Sequence, residues 1–175
     1  MKLVAKDDRY RALKIYDNLI VNIYLYVNKA LNSYSCSVID ILTGIGNLIK
    51  SHTKHEIVIC GDFNFDFTTI FYLKNLWEIC KLKCREILID STYSMMFTYC
   101  YASLNSHSFI DHFLVDSASY CDVVNWSIDD CDTNLYDRCA LLLSIKMSDP
   151  HSIKRTLPIY LCILINWYSK YCELW

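Results

Sequence analysis

The sequence predicts an α/β or α+β sandwich. Short segments rich in β-branched and aromatic residues alternate along the chain with two segments whose apolar residues recur at a helical spacing. In one predicted strand, residues 56–60, the four residues from Ile57 to Cys60 form a continuous apolar run that ends at Gly61, which is typical of a strand covered on both faces. With 175 residues, the chain is long enough to bury the core of one domain.

The first half of the chain predicts a hairpin, a helix and a buried strand. Residues 10–16 and 18–26 are rich in strand formers and flank an Asp17-Asn18 turn signal, so they predict a β-hairpin. Residues 34–50 carry apolar side chains in steps of three and one, which predicts a helix even though Gly44 and Gly46 weaken it. The strand over 56–60 follows.

The second half predicts one more helix and several strands. Residues 69–84 have the apolar spacing of a helix. Strands are predicted over 86–89, 96–101, 108–116, 121–128 and 140–147, with a turn at 105–107 and an acidic loop at 129–134. The apolar segment 157–168 is too short to span a bilayer and predicts a terminal helix or strand.

Polar side chains follow the buried strand. Asp62, Asn64 and Asp66 come directly after Gly61, where open α/β sheets build their active sites. Carboxylate and amide oxygens suit a hard cation, so one interpretation is a Mg²⁺ or phosphate site. These residues are equally compatible with an ordinary Asx-rich turn.

Two further acids are candidates for the same site. Asp111 lies inside the apolar strand 108–116, and a buried acid is costly unless it is paired or bound. Asp137 lies just before the last predicted strand. We expect Asp62, Asn64, Asp111 and Asp137 to converge on one metal and phosphate centre.

Three polar motifs occur in fixed order: Gly61-Asp62-Phe63-Asn64, Ser108-Phe109-Ile110-Asp111-His112 and Asn134-Leu135-Tyr136-Asp137-Arg138. They resemble the motifs of the endonuclease/exonuclease/phosphatase superfamily, most nearly those of the endonuclease domain of non-LTR retrotransposons, which is similar to apurinic/apyrimidinic endonucleases. Upstream, the segment from Val21 to Leu25 resembles the family's strand that ends in Tyr-x-Pro.

The resemblance implies a DNase I-like four-layer sandwich, with two mixed sheets flanked by helices, that lacks its first strands. It implies Mg²⁺- or Mn²⁺-dependent hydrolysis of DNA phosphodiesters, with Asp62 orienting water and Asn64 holding the phosphate. Tyr24 would donate a hydrogen bond to the phosphate or leaving group, and Asp111 would orient the catalytic base. Asp137 would bind the metal together with Asp62.

Departures from the family pattern predict that this chain is inactive or nearly so. The family's catalytic His falls at Arg138, and arginine stays protonated, so it cannot act as a base. Tyr136 replaces a Ser and Tyr26 replaces the Pro of Tyr-x-Pro. No Glu precedes Glu56, so the family's metal-ligating Glu has no counterpart. His112 neighbours Asp111 on a strand and should point to the opposite face, where it packs.

The remaining expectations concern the setting of the chain. Residues 1–147 are predicted to form the nuclease-like domain and 148–175 a tail or linker remnant, with a reverse transcriptase domain following in cis in the intact polyprotein. Ten cysteines occur without a CxxC pair and the first residues lack a signal peptide, so we expect reduced thiols inside the cell, in the nucleus or the cytoplasm, and no membrane partner. The net charge of −2 shows no global basic field.

Two alternatives stay open. The chain could be a binding module that holds DNA or a phosphorylated ligand without cutting it. It could also be the translation of a degenerate pseudogene with no selected role, which would suit its three glycines and two prolines.

Overall fold

The structure is a computed structural model that describes residues 1–25, 34–64, 84–86, 97–101, 106–116, 122–129, 139–147 and 159–165. Its helix is α1 (Tyr34–Ser51). Its strands are β1 (Lys2–Lys6), β2 (Tyr10–Ile15), β3 (Asn18–Tyr24), β4 (Glu56–Asp62), β5 (Cys84–Glu86), β6 (Tyr99–Tyr101), β7 (Ser106–Ser108), β8 (Asp111–Asp116), β9 (Val123–Asp129), β10 (Ala140–Met147) and β11 (Ile159–Ile165).

The described strands form two main sheets and one short ribbon. The larger sheet has the order β1-β2-β3-β4-β8-β5, and β3 and β4 are its parallel pair. The smaller sheet has the order β11-β10-β9 and is antiparallel, and β6 pairs with β7. The parallel pair is joined through α1, as parallel neighbours require a crossover connection.

Helix α1 covers one face of the larger sheet. Its buried residues Val38, Leu42, Ile45 and Ile49 recur at the spacing of one helix face. They pack in one cluster with residues that alternate along the strands beneath them. These strand residues include Leu19, Val21 and Ile23 of β3, Leu25 directly after β3, and Ile57 and Ile59 of β4.

The other face of the larger sheet packs against the smaller sheet. Ile20, Val58, Cys60, Phe113 and Val115 form a second cluster with Leu141, Leu143 and Ile145 of β10. Because successive strand residues point to opposite faces, the two clusters assign each residue of β3, β4 and β8 to one face. The described residues thus form three layers: helix, large sheet and small sheet.

The structure contains the local elements that the sequence predicts. The hairpin over 10–26 is present as β2 and β3, with its turn at Tyr16 and Asp17, and the helix over 34–50 is present as α1. The strand at 140–147 has the predicted bounds. The segment 157–168 contains β11, which pairs with β10 along its full length.

Other elements differ from the prediction. The strand predicted over 108–116 is divided, since β7 ends at Ser108 and pairs with β6, whereas β8 begins at Asp111 and pairs with β4 and β5. The chain passes from one sheet to another between these strands, which a local pattern does not reveal. His107 therefore lies in β7 rather than in a turn, and Asp111 begins a strand rather than occupying its middle.

Three more predictions fall at or beyond the described bounds. Strand β1 was not expected from the sequence. The helix predicted over 69–84 lies outside the described residues except for Cys84, which begins β5. The strand predicted over 96–101 is shorter and spans Tyr99–Tyr101.

Among the described residues, no helix combines the length and the apolar character needed to cross a membrane.

Candidate active site

Three predicted site residues lie side by side on the larger sheet. Tyr24 is the register partner of Asp62 across β3 and β4, and Asp62 is the partner of Asp111 across β4 and β8. Neighbouring strands lie about 4.7–4.9 Å apart, and directly opposite residues of an antiparallel pair have Cβ atoms about 4.5–5.5 Å apart. Tyr24, Asp62 and Asp111, here named the polar row, are therefore adjacent although they are distant in sequence.

The polar row lies on the face that meets the smaller sheet. Residues at even positions of β3 and β4, such as Ile20 and Val58, pack into that interface. The polar row is the last of three cross-strand rows. The first contains Ile20, Val58 and Val115, and the second Asn22, Cys60 and Phe113. The face thus changes from apolar to polar towards the end where the Asp62 and Asp111 carboxylates lie.

The burial of the row is uneven. Asp62 and Asp111 are fully buried, whereas Tyr24 is 37 % exposed. A small cavity of about 10 Å³ touches Asp111 and lies between β8 and the strands β9 and β10, where Trp126 and Leu141 line it. Tyr24 is therefore the member of the row that solvent reaches, and the two carboxylates lie behind it.

Gly61 allows the strands to approach closely at the row. Its φ is +129°, in the region that disfavours residues with a side chain. A Cβ at this position would clash with the backbone O of Ile23 and lie 2.7 Å from Asn22 Oδ1 and 2.9 Å from Ile23 N. Gly61 was predicted to end the strand, but it lies inside β4, and Asp62 is the last strand residue rather than the first loop residue.

Asn64 is held by two hydrogen bonds. It adopts a left-handed conformation with φ of 57°, which asparagine tolerates better than most residues. Its backbone N–H donates to Asp62 Oδ1 at 2.8 Å, and its Nδ2 donates to the backbone O of Leu25 at 2.6 Å. The turn after β4 is thus tied both to the row and to the end of β3.

Backbone hydrogen bonds connect the three strand ends. Leu25 N donates to Asp62 O at 2.8 Å, and Phe63 N donates to Ile110 O at 2.9 Å. Thr98 then fixes the start of β8, because its buried Oγ1 accepts from Ile110 N at 3.0 Å and from Asp111 N at 3.1 Å. Thr98 was not predicted as a site residue, and no sequence pattern around it marks it as one.

His112 lies on the opposite face from the polar row. It is buried, and its ring makes edge contacts with Phe63 at 5.4 Å and Phe109 at 5.0 Å between ring centroids. This is the packing position expected from its place next to Asp111, and it points away from Asp62. Asp66, Asp137 and Arg138 lie outside the described residues, so the convergence of Asp137 with the row stays a prediction.

The carboxylates of the row suit a hard cation. Mg²⁺ is usually bound through one or two carboxylates together with water and substrate phosphate, and Asp62 and Asp111 supply two carboxylates on adjacent strands. Within the described part of the chain, no group of three or more His, Cys, Asp and Glu residues is placed to hold a metal ion.

Acidic residues collect at the opposite end of β4. Burial, followed by the nearby carboxylates of Asp122, Asp17 and Asp116, raises the pKa of Glu56 above its ordinary value. Asp17 O also accepts a hydrogen bond from Glu56 N at 2.8 Å. These four carboxyl groups lie at the end of the sheet away from the polar row.

Comparison with known proteins identifies the fold. No family model matches the chain, and no curated protein matches it. A 3′ phosphatase from Neisseria, NExo, solved with a product DNA hairpin, has a TM-score of 0.56 at 16% identity, covering 79% of this chain and 65% of its own. The 3′-5′ exonuclease NExo from Neisseria meningitidis has a TM-score of 0.57 at 16% identity, covering 75% and 62%.

This chain thus spans slightly less than two thirds of each of these structures. At this identity the likeness shows the fold, and the prediction of a DNase I-like α/β sandwich is confirmed. The absence of first strands and a retrotransposon origin stay predictions.

Proposed function

We propose that the polar row is the phosphodiester site of a DNA nuclease of the retrotransposon endonuclease type, and that this chain binds DNA there with little or no cleavage. The observation that carries the proposal is the register of Tyr24, Asp62 and Asp111 on one face of adjacent strands. The Neisseria protein of similar fold, solved with a DNA hairpin, supports DNA as the partner. In the proposed parent polyprotein, a reverse transcriptase domain follows in cis.

Each described residue has a role consistent with its placement. Asp62 is the carboxylate that orients the attacking water, and Asp111 matches the acid that orients the catalytic base in the family that this chain resembles. Tyr24 is partly exposed, so its hydroxyl can reach a phosphate or leaving group at the surface. The Asn64 amide has two N–H donors, of which one is bound to Leu25 O, so the second is left to hold a phosphate oxygen.

A divalent cation fits this donor set. Mg²⁺ or Mn²⁺ would be held by Asp62 and by Asp137, and when bound it would neutralise the charge that develops on the phosphate. The protein's own contribution is to keep the Asp62 carboxylate fixed, through the hydrogen bond from Asn64 N and the backbone pairing with Leu25.

The site lacks a residue that can act as the general base at position 138. Arg138 occupies the position that resembles the catalytic His of the family, and a guanidinium cannot take a proton from water. Loss of a general base costs about 10²–10⁴ in rate. Arg138 retains a positive charge that attracts phosphate, so binding would survive the loss of chemistry.

The test combines DNA binding with plasmid nicking in the presence of Mg²⁺. We expect the wild-type chain to bind DNA and to nick plasmid no faster than a blank. We expect Asp62→Ala to change the binding, whereas Asp40→Asn, at an exposed position of α1, should not. Nicking by the wild type that Asp62→Ala abolishes would overturn the proposed inactivity. Absence of DNA binding by the wild type would overturn the function itself.

A further inference from the structure

A cationic residue just before β2 lies next to the polar row. Tyr24 N donates to Arg9 O at 2.8 Å, and the Arg9 guanidinium carbon lies 5.9 Å from the centroid of the Tyr24 ring. Arg9 therefore stands beside Tyr24 on the side away from Asp62. Two residues further along the chain, Arg11 is the register partner of Asn22, which belongs to the row next to the polar row.

Lys6 on β1 adds a third cation. Lys6 is the register partner of Arg11 after the bulge between Leu3 and Ala5. Directly opposite residues share a face of the sheet, so Lys6 and Arg11 point to the same side. Lys6 is exposed and Arg11 is partly exposed, which leaves both reachable by a ligand.

The packing of β2 settles which face this is. Ala12 is buried in the cluster under α1, and Tyr10 packs against that cluster. Since alternate residues of a strand point to opposite faces, Arg11 lies on the other face, which is the face of the polar row. Arg9 precedes β2, and its contact with the Tyr24 ring places it on the same face. We name Lys6, Arg9 and Arg11 the cationic track.

Two acidic residues neighbour the track. Asp7 and Asp8 lie in the turn between β1 and β2, and the Asp7 carboxylate accepts a hydrogen bond from the backbone N–H of Arg9 at 3.0 Å. That contact caps the turn through the backbone. The track itself places positive charge at the end of the sheet where the polar row lies.

The acidic residues around Glu56 lie at the other end of the larger sheet. Asp17, Glu56, Asp116 and Asp122 gather there, and burial with these neighbours raises the pKa of Glu56. The length of β2 and β3 separates the cationic track from this acidic group.

We propose that the cationic track binds the backbone phosphates of the nucleic-acid strand that enters the polar row. This inference rests on the proposed function, since it assumes that the strand's phosphodiester reaches Asp62. Tyr24 is 37 % exposed beside this track, and the Arg9 guanidinium lies over its ring. A strand would thus pass from Lys6 and Arg11, over Arg9 and Tyr24, to the buried carboxylates.

The test measures how the affinity for a fluorescent duplex oligonucleotide depends on salt concentration. Each phosphate contact contributes about 0.9 to the slope of log K against log salt. We expect Arg9→Gln and Arg11→Gln each to reduce the slope by about 1. Lys14→Gln is the matched control, because it removes one positive charge from the same strand on the opposite face, and it should leave the slope unchanged.

Further variants separate charge from folding and from other polyanions. Arg11→Lys keeps the charge and should keep the slope, while the thermal melt of each variant checks that it folds. A wild type that binds DNA, with Arg9→Gln and Arg11→Gln indistinguishable from Lys14→Gln, would overturn the track and leave the proposed function standing. Displacement of the DNA by a polyglutamate peptide at equal charge concentration would also overturn it, in favour of an acidic protein partner.

Discussion

Replacement of Gly61 by Ala tests the close approach of β3 and β4 at the candidate site. The new Cβ would meet the backbone of Ile23, which cannot rotate away as a side chain can, and would lie 2.7 Å from Asn22 Oδ1. The backbone φ of +129° is also one that alanine disfavours. Both costs arise at a single position in the middle of the larger sheet.

The magnitude follows from these two terms. A residue held in a sparsely populated backbone region costs about 1–3 kcal/mol. Forcing extra volume into a packed region costs about 1–3 kcal/mol more. We expect Gly61→Ala to lower the free energy of unfolding by roughly 2–6 kcal/mol, a large part of the about 5–15 kcal/mol that holds a typical domain together.

Gly44→Ala is the matched control, because it makes the same chemical change with the opposite expected sign. At Gly44 a Cβ would lie 3.4 Å from the hydroxyl of Tyr10, an ordinary contact with the end of a side chain. Gly44 is inside α1, where alanine is favoured over glycine by roughly 0.5–1 kcal/mol.

Equilibrium unfolding in urea measures both changes. With a slope of about 2 kcal/mol per molar urea, a loss of about 4 kcal/mol would lower the midpoint by about 2 M. Gly44→Ala should raise it slightly. A Gly61→Ala variant that stays within about 1 kcal/mol of wild type would refute the close packing of Gly61 on Ile23, and with it the placement of Asp62 beside Tyr24.

Two further predictions concern the support of the site and the acidic end of the sheet. Thr98→Val removes the acceptor of two buried N–H groups at the start of β8, so it should lower the free energy of unfolding in urea by about 2 kcal/mol or more. Thr98→Ser keeps the hydroxyl and should lower it by about 1 kcal/mol. Equal losses would show that the hydroxyl does not hold Asp111 in place. The raised pKa of Glu56 means that its stabilising contribution is present below the ordinary value of 4.5 and is lost as pH rises through the folded-state pKa. Glu56→Gln should therefore raise the melting temperature at neutral pH but not in acid. Asp40→Asn, at an exposed position of α1, should show no such dependence on pH. A gain that is the same at every pH would contradict the raised pKa of Glu56.

Local patterns in the sequence were sufficient for the elements around the site. The hairpin of β2 and β3, helix α1 and the apolar strand β4 each carry their signal within a single segment, as alternation, helical spacing or a continuous apolar run. The grouping of Asp62 with Asp111 could be anticipated because an acid next to or inside an apolar strand is costly unless it serves a site.

The features that were missed depend on contacts between distant segments. Gly61 continues β4 rather than ending it because Ile23 of the neighbouring strand presses against it, and a glycine in one segment does not reveal its neighbour. The break before Asp111 arises where Thr98 captures two N–H groups as the chain leaves β7 for β8. Arg9 joins the site only through the pairing of β2 with β3.

The apolar pattern of the core also holds the candidate site together. Ile57 and Ile59 face α1 while Val58 and Cys60 face the smaller sheet, so β4 is specified on both of its faces. A slip of one residue would turn Asp62 into the cluster under α1 and every apolar side chain to the wrong face. The same alternation of apolar residues fixes the register of β3 and β8. A shifted register would expose the buried apolar side chains, and this free-energy cost keeps Tyr24, Asp62 and Asp111 in one row whether or not the row catalyses a reaction.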